Sequence, residues 1–332
     1  MGRDHRKLGV RPAHFDAFEV ALIEALRMRA GARWTGELED AWLRMLRLAV
    51  SAMVRGADEA IAEPPSWEAT VTSHEFRTPH LAVLRVRPHQ PYAFRAGQYA
   101  SLESPLLEQA WRPYYLACAP HPDGELEFHV RAQRADGVSD ALVHGTRVGG
   151  TVRLSAPRGA LALPERTPSA DVLLIASGTG WAATKALLQH IDSERSRAHR
   201  VRLLLDGRTG EGVYDAAYLE DFRLGRPWLT VLTCQAEPAG PAGPAGPSAD
   251  RPALRVLDKM LAQRPGAAAR QHVFLALAPE VPEASMTDSL RAVAARLAAA
   301  GVPASHIHHD TAALTGVTGT SASTTRTGLR SA

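Results

Sequence analysis

The chain has 332 residues, 45% of them hydrophobic and 22% charged, with 38 Lys and Arg against 35 Asp and Glu for a net charge of +3. That is the make-up of an ordinary globular protein with room for two or three domains. With no basic stripe and no base-reading motif it argues against a nucleic-acid partner. Two cysteines, Cys118 and Cys234, neither in a CxxC pair, argue against a disulfide scaffold or a structural zinc site and suit a reducing compartment. The N-terminus, MGRDHRKLGV, has no apolar signal core. No apolar run approaches the ~18 residues of a membrane span. The expectation is a cytoplasmic protein with no membrane partner.

Residues 13–29 place Phe15, Phe18, Leu22, Ile23 and Leu26 at helical spacing. Residues 36–55 carry a fuller stripe of Leu38, Trp42, Met45, Leu46, Ala49, Val50, Met53 and Val54. Thr35 reads as its N-cap, with Glu37 and Glu39 in the first turn. Two helices bury little by themselves, so the apolar face over 38–54 calls for a partner. Glu63-Pro64-Pro65-Ser66 reads as a linker.

Beyond it come short β-branched segments, EATVTSHEF, HLAVLRVRP, ELEFHVRAQ and TVRLSAP, bounded by Gly, Pro or Asp. They predict an antiparallel barrel or sandwich over 66–165. From 168 onward apolar strands alternate with helices: DVLLIASG, WAATKALLQHI, RVRLLLDG, VYDAAYLEDF, WLTVLTCQ, HVFLALAP, and DSLRAVAARLAAAG ending at Gly301. This alternation predicts βαβ units and a parallel sheet over 168–310. PAGPAGPAGP (238–247) reads as a surface loop, and the Thr/Ser/Gly-rich residues 311–332 as a disordered tail. The fold class is therefore multidomain: an α-helical piece over 1–62, a β-barrel, then an α/β domain.

Three constellations carry chemistry. In SGTGWAATK, Gly178, Thr179 and Gly180 lie where a buried strand meets a helix, which lets backbone N–H groups approach a phosphate. A tight turn with no ligand is an equal reading of that motif alone. In WRPYYLACAP, strand alternation puts Arg112 and Tyr114 on one face and Pro113 and Tyr115 on the other. A cation and a ring together suit a phosphate and a flat ring system; the alternative is an edge arginine lying over a core tyrosine. Asp136-Gly137-Val138-Ser139 opens a short helix whose N–H groups and hydroxyl suit a diphosphate, or are simply a capped helix.

Taken in order, Arg-x-Tyr on a barrel, a Gly-x-Ser helix start and Gly-x-Gly in a βαβ unit resemble the ferredoxin–NADP reductase superfamily, over about residues 66–310. The GQY run (97–99) is similar to that family's approach to its flavin. The resemblance implies that Gln98, Tyr99, Arg112, Pro113, Tyr114 and Tyr115 line an FAD site, with Gly137, Val138 and Ser139 at the diphosphate. It implies that Gly178, Thr179 and Gly180 face NAD(P)H. LLLDGRTGEGVYD (203–215) resembles the second strand and loop of the nucleotide domain, where Arg208 either meets a 2′-phosphate or caps the loop. GVPASHIHHD (301–310) resembles the closing strand of the flavohaemoglobin branch. HRKLGVRPAHF (5–15) resembles the end of a globin's haem-bearing helix, with His5 at the proximal ligand position.

The implied function is a flavohaemoglobin-like FAD-dependent NAD(P)H oxidoreductase passing electrons to haem, oxygen or a partner protein. Nitric oxide dioxygenase activity is the family's. The helices of the distal haem pocket would lie before residue 1, and Phe15 and Ala57 replace polar groups that orient the proximal histidine. Tyr115 stands where the family has Ser or Thr beside the flavin's reactive nitrogen, and is the candidate catalytic residue. Ala183 replaces a proline, and Ala276-Leu277-Ala278-Pro279 replaces a Cys- or Ser-Gly-Pro strand end. These departures carry a second reading, a reductase remnant with a binding or regulatory role through face 38–54. A third is that an upstream in-frame segment completes the globin. His306, His308 and His309 lack the acidic or cysteine partners of a metal set.

Overall fold

A computed structural model describes residues 2–163, 171–194, 200–207, 213–235, 252–262, 270–277 and 283–310. Arg208, the Pro/Gly run 238–247, Ala278-Pro279 and residues 311–332 lie outside the described residues.

The chain opens with a short helix, α1 (Gly2–His5), and two long ones, α2 (Pro12–Ala30) and α3 (Gly36–Asp58). Pro12 at the first helical position and Gly31 past the end of α2 are the expected punctuation. Thr35 caps α3 by accepting the Leu38 N–H at 3.2 Å. Gly2 lies so close to the Met53 carbonyl that a Cβ would collide with it, which seats α1 on α3. Of the α3 stripe Leu46 is buried, Trp42, Val50, Met53 and Val54 are half-buried, and Leu38, Met45 and Ala49 are exposed. The stripe is thus formed but only partly covered. Asp4 pairs with Arg158 at 2.9 Å, and Arg6 donates to the Glu63 carbonyl at 2.9 Å, so the helical piece is tied to the barrel.

The barrel comprises β1 (Trp67–Thr78), β2 (Leu81–Pro88), β3 (Tyr99–Glu103), β4 (Arg112–Tyr115), β5 (Leu126–Arg131) and β6 (Thr151–Leu154), in spatial order β4-β3-β6-β1-β2-β5. The strand pairings are antiparallel, and a bridge between Leu116 and Phe128 brings the two ends together. Its core holds Trp67, Val71, Leu84, Leu102, Leu116, Phe128 and Leu154. The helix α4 (Val138–Asp140) and a wider turn over 141–145 follow β5.

The α/β domain has a parallel sheet in the order β11-β10-β7-β8-β9. Its strands are β7 (Val172–Ser177), β8 (Val201–Gly207), β9 (Leu229–Gln235), β10 (His272–Ala276) and β11 (Ile307–His309). The helices are α5 (Trp181–Ser193), α6 (Ala216–Arg223), α7 (Pro252–Ala262) and α8 (Glu283–Ala299). The sequence reading does not include α7, whose Leu254, Leu257 and Met260 are buried under the sheet's second core. From β7 the chain winds outward through β8 and β9, then returns to lay β10 on the other flank of β7. That reversal is a topological switch point at the carboxyl ends of β7 and β10, where open α/β sheets have their ligand-binding crevice.

Candidate active site

Strand β4 presents its motif in two directions. Arg112 is exposed, and its Nη1 donates only to the neighbouring Trp111 carbonyl, at 2.9 Å. Tyr114 turns into the barrel core with Leu116 and Phe128. Tyr115, on the opposite face, enters the other core beside Leu161, Trp181 and Leu187. Its ring meets Tyr99 edge-on, centroids 6.2 Å apart, through the direct pairing of residues 99 and 115 across β3 and β4. The Tyr115 hydroxyl is buried and finds no hydrogen-bond partner among the described residues. Burial, with the nearby Asp310 carboxylate, pushes that phenol well above its ordinary pKa. Gln98 shapes the approach: its side-chain oxygen accepts the Arg95 N–H at 2.8 Å, and its carbonyl accepts the Leu116 N–H at 3.0 Å. Gly97 beside it has φ +90°, and a Cβ there would press on Leu161.

Gly137 precedes α4, Val138 is buried, and the Ser139 hydroxyl accepts the Gln133 N–H at 3.2 Å. The segment thus folds back on the chain leaving β5.

At the crevice, Gly178 takes φ +50°, a left-handed conformation that disfavours any side chain. A Cβ on Gly180 would run into the Ala276 carbonyl at the end of β10. The turn is therefore glycine because two strand ends and a helix start converge there. Thr179 is buried, and Leu277 is buried directly after β10. Arg112, residues 137–139 and the 178–180 turn lie on three separate segments, the first two on the barrel and the third on the α/β domain.

The sequence reading missed a set of buried charges between the two domains: Glu127 and His129 on β5, Lys185 on α5, and Asp215 before α6. One weak signal was available, a lysine inside an otherwise apolar helix start. Asp310 follows β11 and accepts the Ala160 N–H at 2.7 Å.

His5 ends α1 and is half-buried. Phe18 and Met28 on α2 and Met45 and Leu48 on α3 are exposed, so these apolar side chains face solvent rather than an enclosed haem pocket. These residues do not enclose a haem, and no step is derived through one. His272, His306 and His308 stack face to face, His272 to His306 at 4.3 Å between centroids. Rings stacked in that way do not converge on one point as metal ligands must.

Residues 1–53 match the globin family, and residues 68–163 match the oxidoreductase FAD-binding domain. The chain is 30% identical over 256 residues to a reductase from a Ralstonia species, the ferredoxin–NAD(P)(+) reductase component of naphthalene 1,2-dioxygenase/salicylate 5-hydroxylase systems. The match covers 76% of this chain and 71% of that protein. It is 23% identical over 205 residues to the flavohemoprotein of Bacillus subtilis, covering 57% of this chain and 50% of that one. The flavohemoglobin of Malassezia yamatoensis, solved with bound FAD and heme, superposes with a TM-score of 0.68 at 17% identity, over 93% of this chain and 77% of that one. The chain spans about half the length of several other curated relatives that it matches.

Barrel, switch-point crevice and sequence likeness define one class: the chain belongs to the FAD-dependent ferredoxin–NAD(P)(+) reductase family. With globin-type residues ahead of that reductase, its order of domains is that of a flavohaemoglobin-like fusion.

Two of the residues expected at the flavin keep open hydrogen-bonding groups. Arg112 has donors free of any acidic partner among the described residues, and Tyr115 keeps a buried hydroxyl unmatched. An unmatched buried hydroxyl costs about 1–3 kcal/mol, which a ligand acceptor would recover.

Proposed function

We propose that the chain takes a hydride from NAD(P)H at the β7/β10 crevice and delivers the electrons through FAD to a one-electron acceptor. The observation that carries this reading is the unmatched Tyr115 hydroxyl directly after Arg112-x-Tyr114 on β4. Bound FAD would supply the two-electron to one-electron conversion. Arg112 and the N–H groups of residues 137–139 hold the diphosphate, and Tyr114 and Tyr99 fix the strand pair beside the ring. Tyr115, held protonated by burial, would offer its O–H to an acceptor on the bound ring. The Gly178–Gly180 turn admits the dinucleotide backbone, and buried Leu277 excludes water beside the nicotinamide.

The acceptor is a haem or an iron–sulfur protein. The Ralstonia relative works with a ferredoxin in a dioxygenase system, and the flavohaemoglobin likeness makes a separate haem protein the other acceptor class, with nitric oxide dioxygenation as the reaction in that case. Titrating the purified chain with FAD and following quenching of flavin fluorescence tests the reading. Saturable binding that Arg112→Met weakens supports it, and the absence of binding removes it.

A second reading rests on the same burial. Tyr115 and Leu277 are buried, and each is larger than the residue the family resemblance implies at the flavin and nicotinamide ends of the site. The chain would then serve as a binding module through the α3 face, where Met45 and Leu48 are exposed.

A further inference from the structure

Lys185 lies five residues beyond Gly180, about 7.5 Å along α5 at 1.5 Å per residue. Its ammonium is buried at the boundary between the barrel and the α/β domain. Nζ stands 2.7 Å from Glu127 Oε1 on β5 and 3.2 Å from Asp215 Oδ2 before α6. It also lies 3.8 Å from the centre of the Tyr218 ring. Asp215 Oδ2 accepts the Trp181 indole N–H at 3.0 Å, one helical turn before Lys185. Glu127 in turn accepts from Arg85 Nε on β2 at 3.0 Å, and Asp215 pairs with Arg77 Nε on β1 at 3.5 Å.

His129 completes the cluster. Burial lowers its pKa and keeps the ring neutral. Its Nε2 lies 3.0 Å from Glu127 Oε1 and its Nδ1 2.7 Å from the Tyr214 hydroxyl. With a carboxylate that can only accept, Nε2 carries the proton and Nδ1 accepts from Tyr214. The ammonium thus meets β5 of the barrel and the Asp215–Tyr218 segment of the α/β domain, while β1 and β2 join the cluster through the two carboxylates.

Burying these charges is expensive, and breaking such a set by removing one partner leaves the others uncompensated. Without Lys185, two buried carboxylates from different domains would face each other across the boundary. The same α5 begins at the Gly178–Gly180 turn, and the same β5 runs on toward Gly137–Ser139. We propose that Lys185, clamped between Glu127 and Asp215, is the positioning residue that sets how closely the nucleotide turn approaches the flavin face of the barrel. The proposal rests on the reductase reading given above, and deepens it by assigning the domain geometry to one residue.

The test is rapid mixing of the FAD-loaded full chain with NADH, compared with Lys185→Met and Lys185→Arg. FAD affinity and Tm are measured on each. In Lys185→Met the flavin-reduction rate constant at saturating NADH falls about 10²-fold, the scale of a 1 Å misplacement, while FAD affinity is unchanged. Lys185→Arg, which keeps the charge but changes its reach, recovers part of that rate. A merely structural role predicts a lower Tm with the saturated rate constant intact, and that result overturns the proposal. If Lys185→Met does not fold, Lys185→Arg decides: a slower saturated rate at unchanged Tm supports the clamp, and an unchanged rate overturns it. If the unaltered chain takes up no FAD, the reductase reading itself fails. The clamp is then read by small-angle scattering of the cofactor-free chain and of Lys185→Arg: a larger radius of gyration in the variant supports it, and equal dimensions overturn it.

Discussion

Asp310, the residue after the last strand of the α/β domain, accepts the backbone N–H of Ala160 in the segment leaving the barrel, Oδ1 to N 2.7 Å. One carboxylate thus ties the far end of one domain to the other. Its second oxygen, Oδ2, is buried without a hydrogen-bond partner among the described residues. A Cβ on Gly159 would come within 2.6 Å of that oxygen and 3.1 Å of the Tyr99 ring, and Gly159 itself has φ +113°. The carboxylate and the glycine are therefore fitted to each other.

Burial raises the Asp310 pKa, against the lowering by the Ala160 and Leu161 N–H groups. A carboxyl raised in the folded state favours folding fully below its unfolded pKa, and that contribution is lost as pH rises through the folded value. At neutral pH and above, the charge is therefore a burden. Asp310→Asn keeps an acceptor for Ala160 and removes the charge, so its Tm at mildly alkaline pH should equal or exceed that of the unaltered chain. Asp310→Ala loses the hydrogen bond and should cost about 1–2 kcal/mol. Equal losses in the two variants would show that the charged form is the one that stabilises.

Gly180→Ala probes the convergence of β7, α5 and β10. The added methyl meets a backbone carbonyl, which has no rotamer to yield. Overpacking of this kind costs about 1–3 kcal/mol or more. Urea unfolding monitored by far-UV circular dichroism should show the midpoint falling accordingly; a midpoint that does not move would mean the turn has slack.

Arg112→Met separates binding from stability. The guanidinium is exposed and touches only its neighbour's carbonyl, so Tm should hold. Losing a charge-assisted phosphate contact is worth roughly 1.5–3 kcal/mol, or about 10- to 100-fold in the Kd for FAD. An unchanged Kd would take Arg112 out of the site.

Acid should loosen the domain boundary first. Burial pushes the Glu127 carboxyl up, but the His129 hydrogen bond and the Lys185 charge outweigh it and hold it well below the ordinary range. Asp215 is lowered likewise, with Lys185 overcoming burial. For carboxyls lowered in the folded state, the stability is complete above the unfolded pKa and drains away as pH falls toward the folded one. Glu127→Gln should therefore flatten the loss of urea stability between neutral and acidic pH. A slope identical to that of the unaltered chain would place the acid-sensitive groups elsewhere.

Much of the architecture was legible in the residues. Period-2 segments bounded by Gly and Pro gave the barrel strands, the βαβ rhythm gave the parallel sheet, and Thr35 marked its helix start. The α7 helix was missed because its eleven residues follow a Pro/Gly run that breaks the periodic pattern on which such a reading depends. Within the site, alternation set Tyr114 and Tyr115 on opposite faces, and the two rings do enter different cores. It could not say that Tyr114 lies in one core and Tyr115 in another, since which face meets which domain is set by tertiary packing. The Lys185 cluster was invisible for the same reason. Its two carboxylates, Glu127 and Asp215, lie 88 residues apart, and only the docking of the two domains brings them to one lysine.

The central claim is that NAD(P)H reduces a flavin held by this chain, and an anaerobic absorption spectrum of the FAD-loaded protein before and after NADH tests it most directly. The account predicts a protein-bound flavin spectrum that bleaches on adding NADH. A bound flavin that stays oxidised, or a chain that takes up no FAD, would contradict it.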